Sequence, residues 1–335
     1  MKKIISIALG SLLLMACNKE FSEQFNTYNN NELNDTVWTA GKPNLDKFAD
    51  LAKGLTPITF GESFDAGKGD TINFNEPISI EIPNGSLVNN AGRTQDTGRA
   101  RVELLWLRKK GDFIKCFKAT TSGDNILESA GEVFVRMYHY YSGQEYAIHN
   151  SSAITIKFRE NYTLKNNLQL FCGKESNPIA AGNRIDTAHT WNRCADSSYL
   201  PTWQGLMNGA NMYGYVIRTN QLRWLGASRF IEKSANTTNL YSVLPQNFTN
   251  KNTLVFLVFK NIQSVVAMTP DAASKCFWTK NIPVGAAVKL VSLSQIGTSF
   301  YYGEKEITSV AIGSAYKIEP AKKTIAEIIT ALNNL

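Results

Sequence analysis

Histidine is scarce in this 335-residue chain, which carries three. Imidazole-based acid–base catalysis therefore has few places to reside. His139 lies in Met-Tyr-His-Tyr-Tyr and His189 precedes Thr190-Trp191; beside aromatics an imidazole is read as a packing residue. There is no Cys-x-x-Cys pair and no Cys/His cluster, which argues against a zinc site. No Gly-x-Ser-x-Gly elbow marks a hydrolase nucleophile. Basic residues are scattered rather than gathered into a patch, so nucleic acid is not an expected partner. No catalytic residue, metal ligand or cofactor is assigned on these grounds.

What the chain does have begins at its N-terminus. Lys2 and Lys3 precede an apolar run from Ile4 to Met15, too short for a stable bilayer-spanning helix. The run ends in Leu14-Met15-Ala16-Cys17, which resembles a bacterial lipobox. The resemblance implies cleavage of residues 1–16 as a signal peptide and lipidation of Cys17. The other reading is an ordinary secretory signal with an incidental cysteine. Several acyl chains on one residue anchor a protein durably, so the expected partner is a membrane, reached by a lipid anchor. No later stretch is long and apolar enough to span a bilayer. Loss of Lys2 and Lys3 with the leader lowers the formal charge from +7 to +5. Residues 17–42 are polar and read as the anchor and a flexible tether.

Four cysteines then remain, and an even count in an exported chain permits disulfides. Cys172 and Cys194 flank one loop-like segment and are the expected pair. Cys116 and Cys276 lie in strand-like contexts; their pairing is left open between a bridge across domains and buried thiols.

Along the chain, Asn44–Lys53 has a helical spacing of apolar residues, with Asn44 as N-cap and Gly54 as stop. Ile78, Ile80 and Ile82 alternate with polar residues, and Pro83-Asn84-Gly85 ends that strand. Arg101–Arg108 alternates too. Lys109–Asp112 reads as a turn, Phe113–Lys118 as a returning strand, Val133–Tyr141 as a long strand and Ala153–Phe158 as a closing one. Turn signals every ten residues or so predict a sandwich or barrel.

The Ile82-Pro83, Gly85, Leu87, Gly111-Asp112 and Glu128–Phe134 positions together resemble the ZU5 module, a β-sandwich of ankyrins and netrin receptors. They resemble still more the ZU5-like modules of Bacteroidetes lipoproteins. The resemblance covers about Phe60 to Phe158 and rests on structural punctuation, so it implies fold and, by analogy with ankyrins, protein binding. Strand patterning resumes at Tyr213, and this second half loosely resembles the UPA-like sandwich that follows ZU5. Leu222–Phe230 matches a segment of the lipoprotein relatives but lacks their Asn and Asp.

The fold class expected is mainly β: two tandem β-sandwich domains with a short N-terminal helix and a C-terminal amphipathic helix. The ZU5-like sandwich is placed at 43–160, a disulfide-stapled connector at 161–212, the second sandwich at 213–320 and the helix at 321–335. In that helix Thr324 and Glu327 form a capping-box pair, and the apolar stripe is read as packing on the second sandwich, or docking a partner.

The functional expectation is a membrane-anchored, non-enzymatic binding or scaffold module of the cell envelope, at the outer membrane, with its periplasmic or surface face left open. An envelope protein or a glycan is the expected partner. Tyr138, Tyr140, Tyr141, Tyr301 and Tyr302 fall in expected strands and are read as half-buried sandwich residues, or, where exposed, as residues that stack on sugar rings or anchor a protein partner. Asp35-Thr36-Val37, Asp70-Thr71-Ile72 and Asp186-Thr187-Ala188 resemble Bacteroidetes O-glycosylation sequons. The alternative is an enzyme: an envelope hydrolase, or a self-cleaving module. Some ZU5-type modules cut themselves at a His-x-Ser step, and His149-Asn150-Ser151 has those residue types, with Ser151 as nucleophile on the preceding carbonyl. Membrane attachment is checked by fractionation. Cys17→Ser is expected to release the protein from the membrane pellet, and retention there refutes the lipid anchor.

Overall fold

The computed structural model describes residues 34–41, 45–74, 77–95, 97–160, 163–174, 189–195, 199–207, 210–232 and 234–335. Strand takes 51% and helix 9%, so the fold is mainly β, as the turn spacing predicts. Residues 1–33, including Cys17 and the leader, and the Asp186-Thr187-Ala188 motif lie outside the described residues.

The strands form two sandwiches. In the first, a seven-stranded sheet runs in the spatial order Phe60–Asp65, Arg99–Leu107, Asn125–His139, Arg223–Phe230, Gln169–Lys174 and Thr190–Arg193, with Thr121–Ser122 paired to Asn125–His139. It faces a five-stranded sheet ordered Thr202–Met207, Ala210–Thr219, Ile154–Arg159, Ile78–Ile82 and Asp70–Asn73. In the second sandwich a five-stranded sheet runs Val265–Ala267, Thr253–Phe259, Val288–Ile296, Ser299–Ile307 and Ala321–Lys322. Its partner is ordered Thr269–Asp271, Cys276–Pro283, Thr237–Val243 and Ala315–Lys317, the last pair parallel.

The Ile78–Ile82 strand shows how the sequence specifies this. Ile78, Ile80 and Ile82 are buried in the first core, while Glu81 is exposed. Gly85 then takes φ +64°, a left-handed turn position that favours glycine, and the chain drops Leu87 into the core.

Between the sandwiches lies a third apolar layer. The Arg99–Leu107 strand sends Val102, Leu104 and Trp106 into the first core and Leu105 and Leu107 to its other face. In Thr253–Phe259, Val255, Leu257 and Phe259 face the second core while Phe256 and Val258 face back. Three helices fill the space: α1 (Ala49–Leu55), α2 (Lys110–Lys115) and α3 (Ile325–Asn333). Phe48, Leu51, Leu55, Phe113, Ile114, Ile328 and Leu332 are at most 1% exposed there. Burial of each contributes about 2 kcal/mol. Lys115 Nζ reaches Asn333 Oδ1 at 2.6 Å, tying α2 to the end of α3. Direct hydrogen bonds also cross the seam: Thr120 N–H donates to Val265 O at 2.8 Å, and Ser129 N–H to Gln263 O at 3.0 Å.

Several expectations are corrected. The segment expected as a connector at 161–212 supplies the strands Gln169–Lys174, Thr190–Arg193 and Thr202–Met207 to the first sandwich. Ala210–Thr219 and Arg223–Phe230 belong there too, so the second sandwich starts at Thr237 rather than 213. Ala210–Thr219 and Arg223–Phe230 pair with strands distant in sequence, Ile154–Arg159 and Asn125–His139, and Asn, Ser and Gly mask the alternation. Lys109–Lys118 is neither turn nor strand but carries α2; six residues are too few to display a helical period. The Asp112 carboxylate accepts the Arg108 and Lys109 N–H groups and starts that helix. Cys116 consequently ends a helix rather than sitting in a strand. The first helix begins at Ala49 after a 3-10 turn, Leu45–Phe48; Asn44 lies outside the described residues, and Gly54 is inside the helix, against Ile325. Ser299–Ile307 forms one continuous strand of the second sandwich.

Two further differences concern the ends. The capping box of Thr324 and Glu327 is present, but α3 packs in the layer between the sandwiches rather than on the second alone. Residues 34–41, expected in the tether, lie on the second sandwich. Trp38 packs 5.1 Å from Phe277, Asn250 Nδ2 donates to Thr39 O, and Lys251 pairs with Asp35 at 2.6 Å. One apolar ring in a polar run is enough to dock it.

The crossing of α2 and α3 is testable. A Cβ at Gly111 would lie 1.9 Å from Leu332 O. Gly111→Ala is expected to cost about 1–3 kcal/mol, read as a lower urea midpoint; an unchanged midpoint refutes the close crossing.

Candidate functional site

The sequence-predicted site residues fall in separate places. His149, Asn150 and Ser151 occupy an exposed turn after the short Ala147–Ile148 strand. His149 N–H donates to Ser86 O at 2.7 Å, which fastens the turn beside the Pro83–Gly85 stop. Ser151 N–H donates to His149 Nδ1 at 3.2 Å, and Ser151 Oγ lies 2.8 Å from the same nitrogen. An amide N–H can only donate, so Nδ1 presents its lone pair and can accept the hydroxyl proton. The chemistry available is a hydroxyl polarised by a local base, in water.

Cys172 and Cys194 are bridged, with Cα atoms 5.5 Å apart. The bridge ties Gln169–Lys174 to the residue following Thr190–Arg193, two neighbouring strands. Closing such a loop is worth about 3 kcal/mol in the chain-entropy picture. Cys116 and Cys276 are buried thiols, the first in the middle layer and the second in a strand of the second sandwich.

The tyrosines divide. Tyr138 donates to Glu103 Oε1 at 2.7 Å, Tyr302 is buried and donates to Glu304 at 2.7 Å, and Tyr301 packs edge-on against Phe248. Burial first, then the Glu304 carboxylate, push the Tyr302 hydroxyl far above its usual range. Tyr140 and Tyr141 are exposed, not in the strand but in the turn that follows it. Their rings sit 5.2 Å apart, and the Arg99 guanidinium lies 4.4 Å over Tyr140. Thr36 and Thr71 of the sequon-like motifs are exposed.

A buried charged pair went unread in the sequence. Glu132, part of the Glu128–Phe134 punctuation, is 1% exposed, and Lys118 is 0% exposed. Neither Glu132 oxygen has a hydrogen-bond partner among the described residues. Lys118 Nζ sits 4.9 Å from the Trp224 ring centre, a cation–π contact. His189 stacks edge-on against Trp191 and Trp224, and Trp191 Nε1 donates to Ala119 O. Burial pushes the Glu132 carboxyl well above its usual range, and the Lys118 charge pulls it part of the way back. The only signal in the sequence was a glutamate at an inward register position of a strand, which alternation alone reads as solvent-facing. Among the described residues, no group of three or more His, Cys, Asp or Glu gathers as a metal would need, and no helix is long and apolar enough to cross a membrane.

Two open grooves lie along the seam. One, of about 690 Å³, is lined by Lys109, Lys110, Arg229 and Lys260 with Glu128 and Gln263. Most of its cations are engaged: Arg229 Nη2 pairs with Glu128 at 2.7 Å, and Lys110 Nζ donates to Lys260 O at 2.9 Å. Burial, then the Lys260 charge, lower the Lys110 ammonium below its usual range. The other groove, of about 670 Å³, has Phe230 and Ile231 in its floor and Asp124, Asn125, Glu232 and Asn281 around it. No family model matches the chain, and no curated protein matches it.

The Glu132 environment sets a pH dependence. A carboxyl raised in the folded state keeps its proton where the unfolded chain has lost it, so stability falls as pH rises above 4.5, the ordinary value. Below that value both states are protonated and the contribution vanishes. Glu132→Gln removes this slope, and the variant should gain on wild type by up to about 1.4 kcal/mol per pH unit above it. Urea unfolding across the pH range checks this; parallel curves refute it.

Proposed function

We propose that the chain is a lipid-anchored binding or scaffold module of the cell envelope, acting without catalysis, a cofactor or nucleic acid. The observation that carries this reading is the pair of seam grooves, each lined by side chains of both sandwiches. Concave sites between packed units are where ligands are commonly taken. The lipobox-like Leu14–Cys17 stretch supports placement at a membrane, and the disulfide supports an oxidising compartment. The ZU5-like pattern of about Phe60 to Phe158 supports a scaffold of binding modules, with an envelope protein or glycan as partner.

One observation favours a second reading, self-cleavage between Asn150 and Ser151: the 2.8 Å contact of His149 Nδ1 with Ser151 Oγ. In that step the Ser151 oxygen bonds to the Asn150 carbonyl carbon, the C–N bond breaks, and His149 carries the hydroxyl proton to the leaving amine. The resulting ester is then hydrolysed by water.

The two readings separate in one experiment on the full chain in envelope membranes, crosslinked and immunoblotted with wild type and Ser151→Ala side by side. Binding without catalysis predicts one uncut band in both and a discrete crosslinked adduct. A fragment pair that disappears in Ser151→Ala, with no adduct, replaces binding by self-cleavage.

A further inference from the structure

The groove floored by Phe230 has a specific chemistry. Phe230 ends the Arg223–Phe230 strand where the chain leaves the first sandwich, and its ring is 44% exposed. With Ile231 and Pro283 it puts apolar surface into a concavity that polar side chains also line. Its orientation is held by Phe171, fully buried, whose ring meets it edge-on with centroids 5.4 Å apart. The walls are held as well. Asp124, from the first sandwich, pairs with Lys280 of the second at 2.7 Å, and Asn281 Nδ2 donates to Asp124 O at 3.2 Å. Around the ring stand short polar side chains: the Glu232 carboxylate, the Asn125 and Asn281 amides and the Ser234 hydroxyl.

We infer that this groove binds a neutral saccharide, with the Phe230 ring under the C–H face of a pyranose and Glu232, Asn125 and Asn281 taking its hydroxyls. This rests on the reading of the chain as a binding module and names the ligand class. Sugar C–H groups carry slight positive charge and meet the negative face of an aromatic ring favourably. Each sugar hydroxyl both donates and accepts, and the rim offers amide donors together with carboxylate and amide acceptors. An anionic ligand meets two carboxylates, Asp124 and Glu232. A wholly apolar ligand would leave the Glu232 carboxylate desolvated. The groove volume of about 670 Å³ holds a short oligosaccharide and lies within the usual range for ligand sites, about 300–1,000 Å³.

The test uses the full chain in a detergent without a sugar headgroup, titrated calorimetrically with chitotriose, maltotriose and mannotriose. At least one should bind with a Kd of about 1 mM or tighter. Phe230→Ala should weaken it about tenfold or more, Phe230→Tyr should retain it, and Tyr141→Ala, at the other exposed aromatic turn, should leave it unchanged. If Phe230→Ala fails to fold by its urea transition, Glu232→Ala supplies the same test. No binding by any of the three sugars, or binding indifferent to both Phe230→Ala and Glu232→Ala, overturns the site. Binding lost in Tyr141→Ala but kept in Phe230→Ala overturns this groove and leaves the binding-module reading standing, as does a protein adduct without sugar binding.

Discussion

Two of the sheets in this molecule are apolar on both faces, and neither face of either can be left to water. The seven-stranded sheet of the first sandwich turns Leu105, Leu107, Phe134 and Trp224 away from its own core, and its counterpart in the second turns out Phe256, Val258, Val291 and Leu293. These surfaces cannot meet directly along their whole extent, because each is twisted. The helices take up the difference: α1, α2 and α3 present Leu51, Ile114 and Leu332 to both. The sandwiches are therefore parts of one folding problem. The chain leaving the first sandwich at Phe230 lines one of the grooves at the seam.

Local alternation made much of this architecture legible. Ile78–Ile82 with its Pro-Asn-Gly stop and the Thr324/Glu327 capping pair were readable because each is a short-range pattern with a direct physical cause. The middle layer was not readable. Phe113 and Ile114 are adjacent residues of a six-residue helix, and two neighbouring apolar residues fit strand or helix equally. Nor was the long-range pairing of Ala210–Thr219 with Ile154–Arg159, which is decided by the fit of whole faces rather than by either segment alone. The Cys172–Cys194 pairing was legible from spacing around a loop. Of the site, the His149–Ser151 proximity follows from two residues on one tight turn, whereas the company of Phe230 required Asp124 and Asn281, distant in the chain.

The buried Glu132 belongs to the same middle layer and shows its cost. A carboxyl with no hydrogen-bond partner among the described residues, beside a lysine spread over an indole ring, is poorly placed for stability. Trp224 lies against that lysine, and Trp191 and His189 pack edge-on against Trp224. The disulfide lies one strand away, on the stretch that supplies both Trp191 and Cys194. A covalent tie beside a strained polar core offsets part of what the unpaired carboxyl costs.

Under the proposed lipid anchor, the docking of residues 34–41 would set where a tether pulls on the body. Trp38 and the Asn250 amide hold that segment on the second sandwich, so the leash leaves the body there. On the proposed lipid anchor at Cys17, the chain from there to Asn34 would reach at most about 60 Å. Traction on that end would enter through the Asp35–Lys251 and Thr39–Asn250 contacts and load the second sandwich before the first.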